Sequence, residues 1–433
     1  MQANGCWNGA QQMGRRWPIA CVALEITQRC NLDCSLCYLS EHSEAVRDLP
    51  LEAIFRRIDA IADRYGRGID VQITGGDPTL RDTGDLLAII DRLRAQGQRP
   101  TLMTNGIKAD RALLKRLAGA GLQDVAFHVD TTQQRKGYAS EADLNSLRLR
   151  YIENARGLGL SIMFNTTVHG GNFHELPQLA AFFRQHADAI RTASFQLQAD
   201  TGRGTQSGRA SIINNHAVWS QIERGLGVPL NRKASQVGHP QCSGYALSLV
   251  CGGRAIDLFQ DAATLGELQT LTAHLPLHRH ARLAALRGFF HWALRRPFAA
   301  GRALRLLLRL LRPHWRTLLA SRGKFHSLSF VTHNFMHAQA LDPQRLAACI
   351  FTTMTDQGPV SMCQHNARRD DYILAPVLLG DGRTWQPLGA GEPSSLVDIS
   401  ALDPRRHGLK HSKGRTRQAL LNQRRVRRAG VPA

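Results

Sequence analysis

Acidic residues are scarce in this chain of 433 residues: 34 Asp and Glu stand against 55 Lys and Arg, leaving a formal net charge of +21. Such a surface attracts polyanions, so nucleic acid, anionic lipid headgroups and acidic substrates are the partner classes to weigh. Cysteine is scarce as well. Nine are too few for a small disulfide scaffold, yet Cys30, Cys34 and Cys37 fall within eight residues, which points to metal ligation in a reducing compartment. Long apolar runs are missing. Met1 to Trp17 contains no apolar core of a secretory signal. The most apolar later stretch, Leu304 to Leu311, is interrupted by Arg305 and Arg309 and falls short of the roughly 20 residues that span a bilayer. A cytoplasmic chain is expected, soluble or peripheral at the inner membrane face. No internal repeat is evident, and the 43% hydrophobic content is enough for a large core.

From Cys21 to about Arg203, short β-rich runs alternate with amphipathic stretches, as in repeated βα units on a parallel sheet. Strands are predicted at Val22 to Thr27, Asp70 to Thr74, Pro100 to Thr104, Asp124 to Val129, Ser161 to Thr167 and Ala193 to Gln198. Ile54, Ile58 and Ile61 mark one intervening helical face, and Leu86, Leu87, Ile90 and Leu93 another. Six such units predict an α/β fold, a partial (β/α)6 barrel with its functional loops gathered on one rim. The expected divisions are an N-terminal extension (1–20), the core (21–205), a connecting and arginine-rich helical region (206–330), a cysteine-bearing region (331–390) and a basic tail (391–433).

Cys30, Cys34 and Cys37 form C-x3-C-x2-C directly after the first strand. Three thiolates on one loop can hold a 4Fe–4S cluster while leaving one iron without a protein ligand. That open iron can chelate the amino and carboxylate groups of S-adenosylmethionine (SAM), whose reductive cleavage gives a 5′-deoxyadenosyl radical. The alternative is structural zinc, which wants four closed ligands; His42 is the only close candidate for a fourth.

This motif, its place after the first strand and its Asn31-Leu32 dipeptide resemble the radical SAM superfamily. Thr74-Gly75-Gly76-Asp77-Pro78-Thr79 resembles that family's loop contacting the SAM amino group, with Asp77 where glutamate is commoner. The resemblance also implies SAM-pocket roles for Thr104, Asn105 and Asp130, with Asn165 and Gln196 as further candidates; each is otherwise a turn former or a strand-end polar group. Phe195-Gln196-Leu197-Gln198, Thr201-Gly202-Arg203, Asn334-Phe335-Met336-His337, Asp342 to Arg345, Asp356-Gln357-Gly358 and Cys363-Gln364-His365-Asn366 are similar to the branch containing tetraether lipid synthases and pterin-linked radical SAM methyltransferases.

Cys242 and Cys363 lie in polar or turn-rich sequence, and with Cys251 and Cys349 they are candidates for an auxiliary 4Fe–4S cluster, the alternative being buried thiols. Members of the branch often carry a cysteine-rich segment upstream of the SAM motif and a second cysteine just before the His-Pro-x-Cys element. Here only Cys6 and Cys21 lie upstream, both read as buried thiols, and Val237-Gly238 occupies the second place, so Cys251 is offered as the substitute ligand. Arg302, Arg305, Arg309, Arg312 and Arg316 line one helical face and Leu304, Leu307, Leu308 and Leu311 another. Such a helix suits an anionic membrane interface, or else packs its leucines on the barrel.

The resemblance implies a radical SAM enzyme with a C-terminal auxiliary-cluster region and a reductant such as ferredoxin or flavodoxin. It further implies a lipid substrate undergoing carbon–carbon bond formation or methyl-type transfer. Peptide or RNA modification is the alternative, and a non-catalytic iron–sulfur protein is the reading from another class. Specific nucleic-acid binding is not expected, since no recognised module accompanies the basic segment from Asp403 onward.

Overall fold

All six predicted strands form in the computed structural model, which describes residues 1–203, 213–273, 275 and 282–388. They run Cys21–Thr27 (β1), Asp70–Gly75 (β2), Arg99–Thr104 (β3), Asp124–His128 (β4), Ser161–Val168 (β5) and Ile190–Leu197 (β6), paired parallel in chain order. Between them lie α1 (Leu51–Tyr65), α2 (Thr83–Ala95), α3 (Arg111–Gly119), α4 (Asn145–Ala155) and α5 (Leu176–Gln185). Asp82 and Asp110 start α2 and α3 by accepting the orphan amides of Gly84 and Leu113.

Strand alternation assigns the two faces of the sheet. In β1, Val22, Leu24 and Ile26 are fully buried in the layer that includes Ile54, Ile58 and Ile61 of α1. Burial of each such side chain contributes about 1.5–3 kcal/mol, which fixes the helices on the outside of the wall. The intervening Cys21, Ala23 and Glu25 face inward, onto a central cavity.

The chain continues through α6 (Asn215–Leu226), β7 (Ser243–Cys251), β8 (Arg254–Asp257), α7 (Ala262–Leu271), α8 (Arg282–Arg295), α9 (Pro297–Leu311) and α10 (Trp315–Ala320). It then forms β9 (Phe325–Asn334), α11 (Pro343–Ala347), β10 (Phe351–Thr355), β11 (Gly358–Ser361), α12 (Met362–Ala367) and α13 (Arg369–Ile373). Strand β9 adds parallel to β6 and β10 parallel to β1, so the later segments extend the same sheet to eight parallel strands. Antiparallel β7, β8 and β11 continue it outward. The sheet is open in its hydrogen bonding but curled. His333 on β9 meets Phe351 on β10 edge-on, with ring centroids 4.5 Å apart. Two strands from opposite ends of the parallel run thus touch through side chains, and a seam closes the partial barrel where no strand pairing does.

The arginine-rich helix forms as α9, but its inward face is Ala303, Leu306 and Leu310. Leu304, Leu307 and Leu308 therefore do not pack on the barrel; Leu308 is 57% exposed, and the arginines stand on the solvent side with it. Leu294 and Phe298 are 82% and 93% exposed on the same helical layer. Among the described residues no helix is long and apolar enough to cross a membrane. The basic segment from Asp403 lies outside the described residues.

Candidate active site

β1 delivers the chain to the loop bearing Cys30, Cys34 and Cys37, and all three thiols line one end of a cavity of roughly 1400 Å³. Neighbouring strand ends clamp that loop. The Gly76 amide donates to the Thr27 carbonyl at 2.9 Å and the Asp77 amide to the Arg29 carbonyl at 2.7 Å. A Cβ on Gly75 would sit 1.8 Å from the Thr27 carbonyl oxygen, and one on Gly76 2.0 Å from that of Arg29, so both positions require glycine. From the other side, the Ser35 amide donates to the Thr132 carbonyl at 2.9 Å, and the Tyr38 hydroxyl to the Gly75 carbonyl at 2.5 Å.

Buried Arg203 donates to Cys37 Sγ at 3.1 Å and faces Asp33 and Glu44. Burial opposes its charge, but Cys37, Asp33 and Cys30 outweigh that, and its pKa is raised. Cys34 lines the cavity, and its thiol is pushed well up by burial and by Cys37 and Cys30 beside it. Bound cationic iron would invert that repulsion. The described residues converge no three His, Cys, Asp or Glu side chains on a single ion. A 4Fe–4S cube makes no such demand, because each thiolate binds a different iron. The residues present therefore fit a cluster held by three thiolates, with a charged donor supporting one of them.

Residues 24–183 match the model of the radical SAM superfamily. They form a radical SAM domain. A 7,8-dihydro-6-hydroxymethylpterin dimethyltransferase of Methanocaldococcus jannaschii is 28% identical over 186 residues, 42% of this chain and 36% of that protein. An Fe-coproporphyrin III synthase of Methanosarcina barkeri is 28% identical over 226 residues, 51% of this chain and 53% of that protein. The chain thus spans about half or less of the length of these relatives. The FeFe-hydrogenase maturase HydG from Carboxydothermus hydrogenoformans covers 70% of this chain and 80% of its own at 14% identity and a TM-score of 0.38, a likeness too loose to carry an argument.

Within the radical SAM domain, Gly76, Thr104, Asn105, Asn165 and Gln196 all line the cavity. Asp77 and Asp130 do not face it as the sequence suggested. Asp77 is 1% exposed and turned inward, where it accepts from the Thr79 amide at 3.0 Å, the Thr104 hydroxyl at 3.0 Å and the Asn105 amide at 2.9 Å. It ties the β2 end to the β3 end, which leaves the Asn105 side chain to meet Asn31 Oδ1 at 2.6 Å beside Cys30. Burial raises the Asp77 pKa despite those donors. Asp130 is likewise consumed by His128 at 2.7 Å, the Thr167 amide at 2.7 Å and the Thr132 amide at 3.0 Å. Burial opposes its charge, yet His128 and the other donors hold its carboxyl well below the usual range. Both aspartates shape the pocket from behind.

Three residues gained no role from sequence reasoning. His128, on β4, lines the cavity; Arg203 was visible only as part of a motif. Arg369 of α13 reaches across to make paired 2.8 Å contacts with buried Glu25 on β1, and its guanidinium lies 4.8 Å from the centroid of the Tyr38 ring, next to Cys37. No local signal could have joined positions 25 and 369.

The remaining cysteines divide. None of the nine, all among the described residues, is in a disulfide. Cys242 directly precedes β7, whereas Cys251 ends it, paired with Phe325 and Arg254. Nine residue steps along the strand separate them by about 30 Å, so Cys251 cannot join Cys242 on one cluster. Cys349 and Cys363 do come to the Cys242 side of the seam.

Proposed function

We propose that this chain is a radical SAM enzyme that holds a 4Fe–4S cluster on Cys30, Cys34 and Cys37 and functionalises an unactivated substrate carbon. The observation that carries the reading is the three-cysteine loop locked onto Gly75 and Gly76 at the mouth of a cavity lined by inward-facing strand residues. When bound, the cluster and SAM supply the chemistry: one electron from an external reductant breaks a sulfonium bond, giving methionine and a 5′-deoxyadenosyl radical that takes a hydrogen atom from the substrate. The chain's own residues hold the loop, present polar groups from Gly76, Thr104 and Asn105, and enclose the reacting centre within the barrel wall, away from bulk water.

A lipid is the substrate class we favour, modified by carbon–carbon bond formation or methyl-type transfer. Support comes from α8 to α10, where exposed Leu294, Phe298, Leu308 and Trp315 stand among exposed Arg305, Arg309, Arg312 and Arg316. That combination suits an anionic lipid interface. Leu286 of this layer also lines the cavity beside Lys324 and Phe325, so the apolar surface adjoins an end of the chamber. A second reading, a peptide substrate, draws support from the polar inner wall of Gln72, Thr101, Ser194 and Ser329.

Anaerobically reconstituted protein with dithionite and SAM is expected to release 5′-deoxyadenosine, faster with membrane lipid extract than with a peptide fraction. Iron uptake without SAM cleavage under either condition sinks the enzyme reading. Stimulation by peptide alone reverses the substrate class, and failure to float with anionic liposomes at low salt removes the interfacial role of α8 to α10.

A further inference from the structure

We infer that Arg191, Lys324 and His326 bind the phosphate group of an elongated amphiphilic substrate at the floor of the chamber, the end remote from Cys30, Cys34 and Cys37. The inference rests on the lipid reading above and adds to it the group by which the substrate is held. All three residues line the cavity that the three thiols also line.

Arg191 faces the cavity because β6 breaks step. Ile190 and Ala193, three positions apart, are both fully buried in the outer core, where a regular strand would put them on opposite faces. The pairing with β5 shows the cause: Ile162 matches Ile190 but Met163 matches Thr192, which leaves Arg191 as the extra residue of a β-bulge. Arg191 and Thr192 consequently both line the chamber. Bulges re-aim side chains in this way, and they are enriched next to active sites.

The guanidinium so presented makes no hydrogen bond or ion pair among the described residues, and neither does the Lys324 ammonium or the His326 ring. A cation that lines a chamber without a partner leaves a site incomplete, because withdrawing it from water costs free energy until a counter-charge meets it. The acids of this end are engaged elsewhere. Arg99 grips Asp70 through two 2.8 Å bonds and Arg156 holds Asp188 at 2.8 Å, while Asp124 stands on β4, two strands from β6 and so about 10 Å across the sheet. Thr192 pairs with Ser329 of β9, so His326 and Lys324 lie below the level of Arg191 at the start of the adjacent strand, about 7 and 13 Å along it. Long basic side chains can bring that spread onto one phosphate, whose oxygens take a bidentate arginine and further point charges. Leu286 and Phe325 flank the same floor, apolar surface beside the charges, which suits an amphiphile better than a wholly polar anion. From Arg191 to Gln196 toward the rim, β6 spans about 16 Å. A phosphate held at the floor therefore leaves the reacting carbon far along the molecule, and the substrate has to be long.

The test is isothermal titration of the reconstituted full chain with four soluble probes: dihexanoyl phosphatidic acid, dihexanoylglycerol, inorganic phosphate and tetraglutamate. Wild type is expected to bind the phosphatidic acid at least about tenfold more tightly than dihexanoylglycerol, the size of one charged hydrogen bond. Arg191→Gln is expected to erase that preference, Arg191→Lys to restore part of it, and Lys324→Gln to lower it by less. Lys115→Gln removes the same charge from the exposed side of α3 and is expected to leave the preference unchanged. Thermal unfolding of Arg191→Gln close to wild type shows that the chain still folds. A preference that survives Arg191→Gln, or is absent from wild type, overturns the inference. Inorganic phosphate bound as tightly as the ester overturns it too, by making this a free-phosphate site, and tetraglutamate bound more tightly than the ester does so by moving the site to the peptide reading. If lipid extract stimulates SAM cleavage while no phosphate preference appears, this inference fails alone. If the ester binds as expected and SAM is never cleaved, the anion site stands and the functional reading falls.

Discussion

Two groups of cysteines differ in what brings their members together. Cys30, Cys34 and Cys37 sit on a single loop, and neighbouring strand ends need only hold that loop still. Cys242, Cys349 and Cys363 come from segments far apart in the chain and reach one side of the seam only once the barrel has curled shut. The difference lies in what each site demands of the fold. The first asks for rigidity behind a local motif, whereas the second asks for tertiary closure.

The sharpest way to break this comparison is to empty the local site. Replacing Cys30, Cys34 and Cys37 with alanine is expected to take 5′-deoxyadenosine formation to background while the apo-protein's thermal unfolding stays close to wild type, because no apolar packing is lost. Product analysis and a melting curve on the same preparation check both halves. Next in size is Arg369→Ala, which tests whether the local loop is as independent as its sequence suggests. It strands buried Glu25 without its partner and uncovers Tyr38 beside Cys37. Breaking such a pair costs about 3–5 kcal/mol, measurable by denaturant titration of the apo-protein. Cluster occupancy is expected to fall with it, whereas unaltered stability would mean that the C-terminal segment does not brace the loop.

How much of this was legible follows the same division. The six βα units were readable because each strand and helix carries its own periodicity, and the C-x3-C-x2-C loop because its ligands are neighbours. Strands β9 and β10 were not assigned, although Phe325 to Val331 alternates in the manner of a strand, because the surrounding arginine-rich sequence read as helical. Asp77 was recognised by motif but misjudged in orientation: only the fold shows Thr79, Thr104 and Asn105 consuming its oxygens. Cys251 was grouped with Cys242, nine positions away, as the substitute for a cysteine missing before the His-Pro-x-Cys element. A β-strand turns that proximity into distance, a consequence that cysteine spacing alone does not reveal.

Asp77→Ala probes the rigidity behind the local motif at a smaller scale. It leaves the Thr104 hydroxyl and the Asn105 amide without their buried acceptor, a loss of about 1–3 kcal/mol. Since Asn105 meets Asn31 beside Cys30, SAM affinity is expected to weaken by about 10- to 100-fold, the range seen when supporting partners of a metal site are removed. Isothermal titration with SAM, at unchanged iron content, checks this, and an unchanged affinity would show that Asn105 is positioned by other contacts. Arg203→Ala removes a charged donor from Cys37 and is expected to make the reduced cluster harder to reach. Loss of about 1.4 kcal/mol corresponds to roughly 60 mV in a one-electron couple, toward more negative potential.

The ion pair that joins the local loop to the distant segment also sets a pH dependence. Burial alone would raise the Glu25 carboxyl, but Arg369 and His365 overcome it and hold the pKa at about 2 against an ordinary 4.5. A carboxyl depressed in the folded state contributes stability that is fully present above its unfolded value and is lost as pH falls toward the folded one. Unfolding free energy is therefore expected to be flat in this contribution above pH 5 and to decline from about pH 4.5 toward pH 2. Glu25→Gln should remove that part of the slope. The apo-protein is the right sample, because clusters would dissolve in acid for their own reasons. A slope identical in wild type and variant would mean that Arg369 is held in place by Tyr38 and Gln28 rather than by charge, and the bond between the local loop and the distant segment would then be one of packing.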